Sequence, residues 1–245
     1  MSAHLIDSEH LSISRVKEIV DAKLELKLST NASARIAKCR QYLDDKMATG
    51  KNVFYGINTG FGSLCDTVIS NEDLEKLQRN LVISHACGIG DEVPLEIVKL
   101  MIFLKVKGLS YGHSGVQLQT VQRLLDFYNN DIVPIVYQQG SLGASGDLAP
   151  LAHMSLPLLG EGNVYVKGEL MSSAEMLQKM GWEPLALKSK EGLALLNGTQ
   201  FMSAYGVWSL IKASQLSNAA DIVGAVSVEG FDARLNPFFH NVNAV

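Results

Sequence analysis

From Gly198 to about Val228 the chain runs without a proline, and this run constrains the fold more than any other stretch. Proline-free sequence of that length and apolar content reads as one extended helix. Its most apolar part, Val207 to Val228, is interrupted by Lys212 and Asp221, so it reads as a helix buried in protein rather than one crossing a membrane. Earlier segments carry the same period. Ala34 to Met47 puts Ile36, Cys39, Leu43 and Met47 on one stripe, and Gly50 stops the run. Ser70 and Asp73 form a capping box ahead of Leu74, Leu77 and Leu81. Pro94 suits the first position of a helix carrying Ile97, Val98, Met101, Ile102 and Leu104. Ser114 is placed to cap a helix with Val121, Leu124 and Leu125 that ends at Asn129-Asn130. A single hairpin is expected, Asn163 to Leu170, turning at Lys167-Gly168. The fold class is therefore mainly α.

Composition fits that reading. Of 245 residues, 47% are hydrophobic and the net charge is only -4, which supplies a core and excludes disorder as the main state. Without a basic surplus, nucleic acid is not an expected partner. Cys39, Cys65 and Cys87 are odd in number and form no C-x-x-C pair, so neither a disulfide framework nor a structural zinc site is expected. They read as small buried hydrophobes. The first twenty residues lack a basic segment followed by an apolar run, so no signal peptide is expected and the compartment reads as cytoplasmic.

Three glycine-rich loops break the helical pattern: Tyr55 to Gly62, Gly140 to Asp147, and Leu195 to Thr199. Glycine allows backbone conformations and close approaches that other residues refuse. Three such loops suggest a site assembled between helices, although three tight turns would account for them equally.

The segment Gly143-Ala-Ser-Gly-Asp147 admits three chemistries. It lacks the lysine of a phosphate-binding loop and the Gly-x-Ser-x-Gly spacing of a nucleophile elbow. A serine hydrolase using Ser145 with Asp147 and His153 has the right residue types, but triads are assembled by the fold rather than by local clustering. The third chemistry is backbone cyclisation. Attack of the Gly146 nitrogen on the Ala144 carbonyl closes a five-membered ring with loss of water. Loss of the Ser145 hydroxyl as a second water leaves an exocyclic methylene, a strong electrophile. Ala144 leaves its carbonyl unshielded and Gly146 tolerates the backbone strain.

The surroundings of that tripeptide bring in a resemblance. Tyr55-Gly-Ile-Asn-Thr-Gly-Phe-Gly62, Gly143-Ala-Ser-Gly-Asp-Leu-Ala-Pro-Leu-Ala-His153 and Glu191-Gly-Leu-Ala-Leu-Leu-Asn-Gly-Thr199 resemble, in order and spacing, the motifs of the aromatic amino acid ammonia-lyase family. That family uses a self-formed methylidene-imidazolone (MIO). The resemblance implies a fumarase/aspartase-like helical fold, with residues 1–198 as the MIO-bearing domain and 199–245 as the start of the central helical core. It implies MIO from Ala144, Ser145 and Gly146, with no external cofactor and no metal. Tyr55 is then the general base, a role that needs a pKa below the usual value of about 10. Helix N-termini converging on the site would favour the phenolate. Asn197 and His85 are then substrate-binding. Asp147 is read as a cap for the following helix, steadying the loop, and His153 as structural.

The pair His85-Ala86, in Ile83-Ser-His-Ala-Cys-Gly88, is similar to histidine-specific members, whereas phenylalanine-specific members carry an aromatic and a leucine there. Tyrosine-specific members also keep the histidine. The resemblance therefore implies conversion of L-histidine to trans-urocanate and ammonia, with a tyrosine or other aromatic amino acid lyase or aminomutase as the alternative. It also implies a homotetramer of longer chains. The family's substrate-binding arginine and a further catalytic tyrosine match no position before Val245, so an inactive, partner-dependent lyase fragment is a third expectation.

Overall fold

The structure, a computed structural model, describes residues 3–48, 53–60, 67–70, 73–234, 236–242 and 244. Gly50, Phe61, Gly62 and Cys65, singled out above, lie outside the described residues, as does the side chain of Ser145. The chain divides into two compact units, Met1–Tyr205 and Gly206–Val245.

The first unit is helical with short sheets at its edges. The parallel strands β1 (Ala3–Ile6) and β2 (Glu25–Leu28) flank helix α1 (Ile13–Asp21). Helix α2 (Thr30–Ala48) buries Ala32, Ile36, Arg40 and Leu43. Arg40 thus takes the place expected of Cys39 and Met47, because its guanidinium donates to the carbonyls of Gly115 (2.8 Å) and Ser189 (2.9 Å). Helix α3 (Leu74–His85) follows the Ser70–Asp73 pair, whose hydroxyl and carboxylate hydrogen-bond at 2.7 Å. After strand β3 (Ile89–Glu92), helix α4 (Leu95–Leu109) forms the centre of the core, with Met101, Ile102, Phe103 and Val106 inaccessible to solvent.

Helix α5 (Leu118–Asn129) starts four residues later than Ser114. Gly115 at φ +72° turns the chain there, and the carbonyl of Ser114 accepts from Lys190. Strands β4 (Ile132–Pro134) and β5 (Tyr137–Gln139) lead to helix α6 (Leu148–Ser155). The expected hairpin is β6 (Asn163–Val166) and β7 (Glu169–Ser172), with Lys167 and Gly168 both at positive φ, and β6 also pairs with β4. Helix α7 (Ser173–Met180) opens on a capping box between Ser172 and Glu175. Helix α8 (Glu191–Leu196) precedes the long helix α9 (Gln200–Gly230).

The second unit comprises α9 from Gly206 onward and two short 3-10 turns. The helix is as long as expected, but Leu216, Ile222, Val223 and Val226 are exposed rather than buried. A single helix with two turns has nothing of its own to pack against. No helix among the described residues is long and apolar enough to cross a membrane.

Candidate active site

Helices α3, α6 and α8 meet on a small core of Leu81, Ala152 and Leu196, against which Ala86, Leu148 and Leu193 also pack. This core brings together the ends of three segments singled out in the sequence: the one after His85, the one before Leu148 and the one before Asn197. Gly88 and Gly140 permit the first two to approach. A Cβ on Gly140 would lie 3.1 Å from the Gly88 Cα.

Gly143–Ser145 forms a 3-10 turn closed by the Gly146 N–H donating to the Gly143 carbonyl at 3.3 Å. Gly146 sits at φ +97°, in the region that favours glycine, and a Cβ there would lie 3.1 Å from the Gly198 carbonyl oxygen. That same carbonyl accepts the Asp147 N–H at 2.9 Å. The turn is therefore seated directly on the Asn197-Gly198 segment. Helices α6 and α9 begin within two residues of this contact, so their positive N-terminal ends lie beside it.

Asp147 occupies the N-cap position of α6 but makes no side-chain cap bond there. Its buried carboxylate is taken up instead by the Ser141 hydroxyl (2.8 Å) and the Met202 N–H (3.0 Å). It steadies the loop, as expected, but by tying it to the start of α9. His153 is buried; its Nε2 accepts the Gly88 N–H at 2.9 Å and its ring packs edge-on against Tyr137. Burial holds its pKa below the usual histidine value. The structural role read for His153 is thus to fix the chain just after His85. The Asp147 carboxylate and His153 Nε2 are bonded to these other partners and no hydrogen bond joins the two residues, so the Asp–His pair a serine hydrolase needs is absent among the described residues.

His85, in the last turn of α3, donates Nδ1–H to the Leu81 carbonyl (2.8 Å). That leaves Nε2 as an acceptor without a partner among the described residues. Asn197 donates Nδ2–H to the Leu193 carbonyl (3.0 Å), and its Oδ1 has no partner among the described residues. Tyr55 lies on a turn braced by the Phe54 N–H to Asn58 Oδ1 bond (2.7 Å), and it is 62% exposed. Cys39 is half-buried and Cys87 is exposed, so the latter is not the buried hydrophobe expected. Among the described residues no cluster of His, Cys, Asp and Glu could hold a metal ion.

Sequence reasoning missed Lys105. This α4 lysine is 2% exposed, and its Nζ donates to the backbone carbonyl of Asn197 at 3.0 Å. Burial alone pulls its pKa down to about 7. Lys99 and Lys107 lie on the same helix, so nothing in its sequence marks Lys105 as the buried one.

The pattern of the aromatic amino acid lyase family matches residues 11–245. The chain belongs to that family. Curated aromatic amino acid lyases similar to it include histidine ammonia-lyases of Caldanaerobacter subterraneus (42% identity over all of this chain and 48% of the relative) and Myxococcus xanthus (41% over 98% and 47%). The chain spans about half the length of the curated relatives it matches. Among solved structures, histidine ammonia-lyase from Trypanosoma cruzi superposes with a TM-score of 0.88 at 36% identity, covering 99% of this chain and 47% of the other. An ergothionase from Treponema denticola gives 0.90 at 29% identity, covering 99% and 48%. The mainly α, fumarase-like fold expected of the family is the fold observed.

Proposed function

We propose that this chain carries the MIO-bearing part of an ammonia-lyase that converts L-histidine to trans-urocanate and ammonia. The observation that carries the reading is the Gly143–Ser145 turn, closed with Gly146 at φ +97° and seated on Gly198 beside Asn197, in a chain about 40% identical to curated histidine ammonia-lyases.

The local backbone fits the group. Cyclisation needs the Gly146 nitrogen to approach the Ala144 carbonyl carbon without a side chain in the way; the tight turn over Gly143–Ser145 and the crowding of any Cβ at Gly146 against Gly198 support that reading. Ala144, Ser145 and Gly146 would provide its atoms. Its chemistry is that of an electrophilic carbon that accepts electrons from a substrate whose amine is a poor leaving group.

The chain's own residues divide the remaining work. Asn197, whose Oδ1 has no partner among the described residues, orients the substrate through its amide. His85 has its Nδ1–H committed to Leu81, so it offers Nε2 as an acceptor to an imidazole N–H. Tyr55 acts as the general base for a substrate proton. The N-termini of α6 and α9 supply positive potential that favours developing negative charge.

A tyrosine-directed lyase or aminomutase uses the same parts, because His85 can also accept from a phenol. Incubating the purified protein separately with L-histidine and L-tyrosine, and recording the absorption of urocanate and coumarate, separates the two. Urocanate with stoichiometric ammonia is the expected result. Coumarate or a β-amino acid instead would replace the histidine assignment. A second reading, a partner-dependent lyase segment, is favoured by the exposed apolar side chains of α9; it predicts no turnover until a partner chain is added.

A further inference from the structure

Lys105 is buried, reaches the site through the backbone of Asn197, and has no role in the reading above. Along α4 its neighbours at one-turn spacing, Met101, Ile102 and Leu109, are buried and apolar. A lysine amine in such surroundings is costly unless something there uses it. Its hydrogen-bond partner is the Asn197 carbonyl, 3.0 Å away, and no carboxylate contributes to its titration. One turn further, Gly108 faces the Gln200 side chain: a Cβ there would sit in ordinary contact, 3.6 Å from Gln200 Nε2. The same face of α4 therefore backs both ends of the Asn197-Gly198-Thr199 segment.

That segment is held from two sides. Lys105 holds the carbonyl of Asn197, and the Asp147 N–H holds the carbonyl of Gly198. Gly198 is at φ +148° and has no conformational preference of its own to keep the segment in place. We propose that Lys105 is a positioning residue for this site: its Nζ donor fixes the Asn197-Gly198 peptide, and so sets both the Asn197 amide and the surface on which the Ala144-Ser145-Gly146 turn is seated. The proposal rests on the site reading given above. It requires only an N–H at that place, which the neutral amine and the ammonium both provide.

Lys105→Met and Lys105→Gln test it in the full chain. Both side chains end one atom short of lysine and fill similar volumes, but only glutamine keeps an N–H donor. The measurements are the fraction of chains lighter by two waters, the thermal melt, and kcat and KM for L-histidine. Lys105→Met is expected to melt cooperatively, to contain mostly unmodified chain, and to lose about a hundredfold in turnover, as a small displacement of reacting groups does. Lys105→Gln is expected to recover part of the dehydrated fraction and part of kcat.

Full dehydration and native turnover in Lys105→Met would overturn the proposal, and so would a Lys105→Gln protein no better than a folded Lys105→Met. If Lys105→Met does not fold, Lys105→Gln against the native chain decides: a lower dehydrated fraction or raised KM supports the proposal, and native values overturn it. A native chain that neither dehydrates nor turns over histidine marks failure of the functional reading itself, and the proposal falls with it.

Discussion

Lys105→Met removes a pH-dependent cost from the folded state, and the size of that cost follows from where the lysine sits. In the folded chain burial lowers its pKa from 10.5 to about 7, whereas in the unfolded chain it regains the ordinary value. Between these two values the unfolded chain binds a proton that the folded chain does not, so stability rises with pH at up to about 1.4 kcal/mol per unit. Below about pH 7 both states bind the proton and the cost is felt in full; above about pH 10.5 it is gone. Carrying the two values through gives a gain of about 2 kcal/mol from pH 7 to pH 9 in the native chain. Methionine at the site has no such gain. Urea unfolding of the native and Lys105→Met proteins at pH 6, 7, 8 and 9 measures this: the stability difference, native minus variant, should be flat from pH 6 to near 7 and then rise by about 2 kcal/mol. A difference that stays constant to pH 9 would refute the argument, because it would mean that the amine is hydrated or paired in the folded protein.

Three further predictions bear on the loops. Gly146→Ala places a Cβ 3.1 Å from the Gly198 carbonyl at φ +97°, so it should cost about 1–3 kcal/mol in a denaturant melt and leave the chain at its unmodified mass; normal dehydration would contradict the seating of the turn on Gly198. Tyr55→Phe should keep the dehydrated mass and lose at least about a hundredfold in kcat, and an unchanged rate would remove Tyr55 from the site. Glu191 is fully buried and accepts from the Gln117 N–H and Nε2–H, the Thr120 hydroxyl and the Lys188 N–H. Glu191→Gln turns an amide donor toward two of these donors and should cost about 3 kcal/mol, read as a lower urea midpoint; an unshifted midpoint would show that the pocket rearranges around the amide.

The parts of this fold that sequence conveys are those whose cause is local. Helix α9 follows from a long proline-free run, and the β6–β7 hairpin follows from Lys167-Gly168, which supply the two positive-φ residues of its turn. The parallel pair β1–β2 joins two four-residue strands across an intervening helix; neither strand has a pattern long enough to be read alone, and tertiary packing decides the pairing. The cap assigned to Ser114 failed because Gly115 delays the helix. The cap assigned to Asp147 failed because Ser141 and Met202, distant from the cap in different ways, compete for its carboxylate. At the site, the glycine loops and their residue types were legible, since each is a run of consecutive residues. The Lys105–Asn197 contact spans 92 positions, and nothing in α4 alone distinguishes a lysine on a wet face from one turned into the core. The exposure of α9 beyond Gly206 was illegible for the same reason: an apolar helix states what it can bury, not whether a partner is there to bury it.

The central claim is that the Ala144-Ser145-Gly146 turn is held in a geometry that cyclises. The intact mass of the purified native chain, compared with that of Ser145→Ala, tests it most directly. The native chain is expected to be lighter than its sequence by two waters, with Ser145→Ala unable to lose the second. A native mass equal to that of the sequence would contradict the claim.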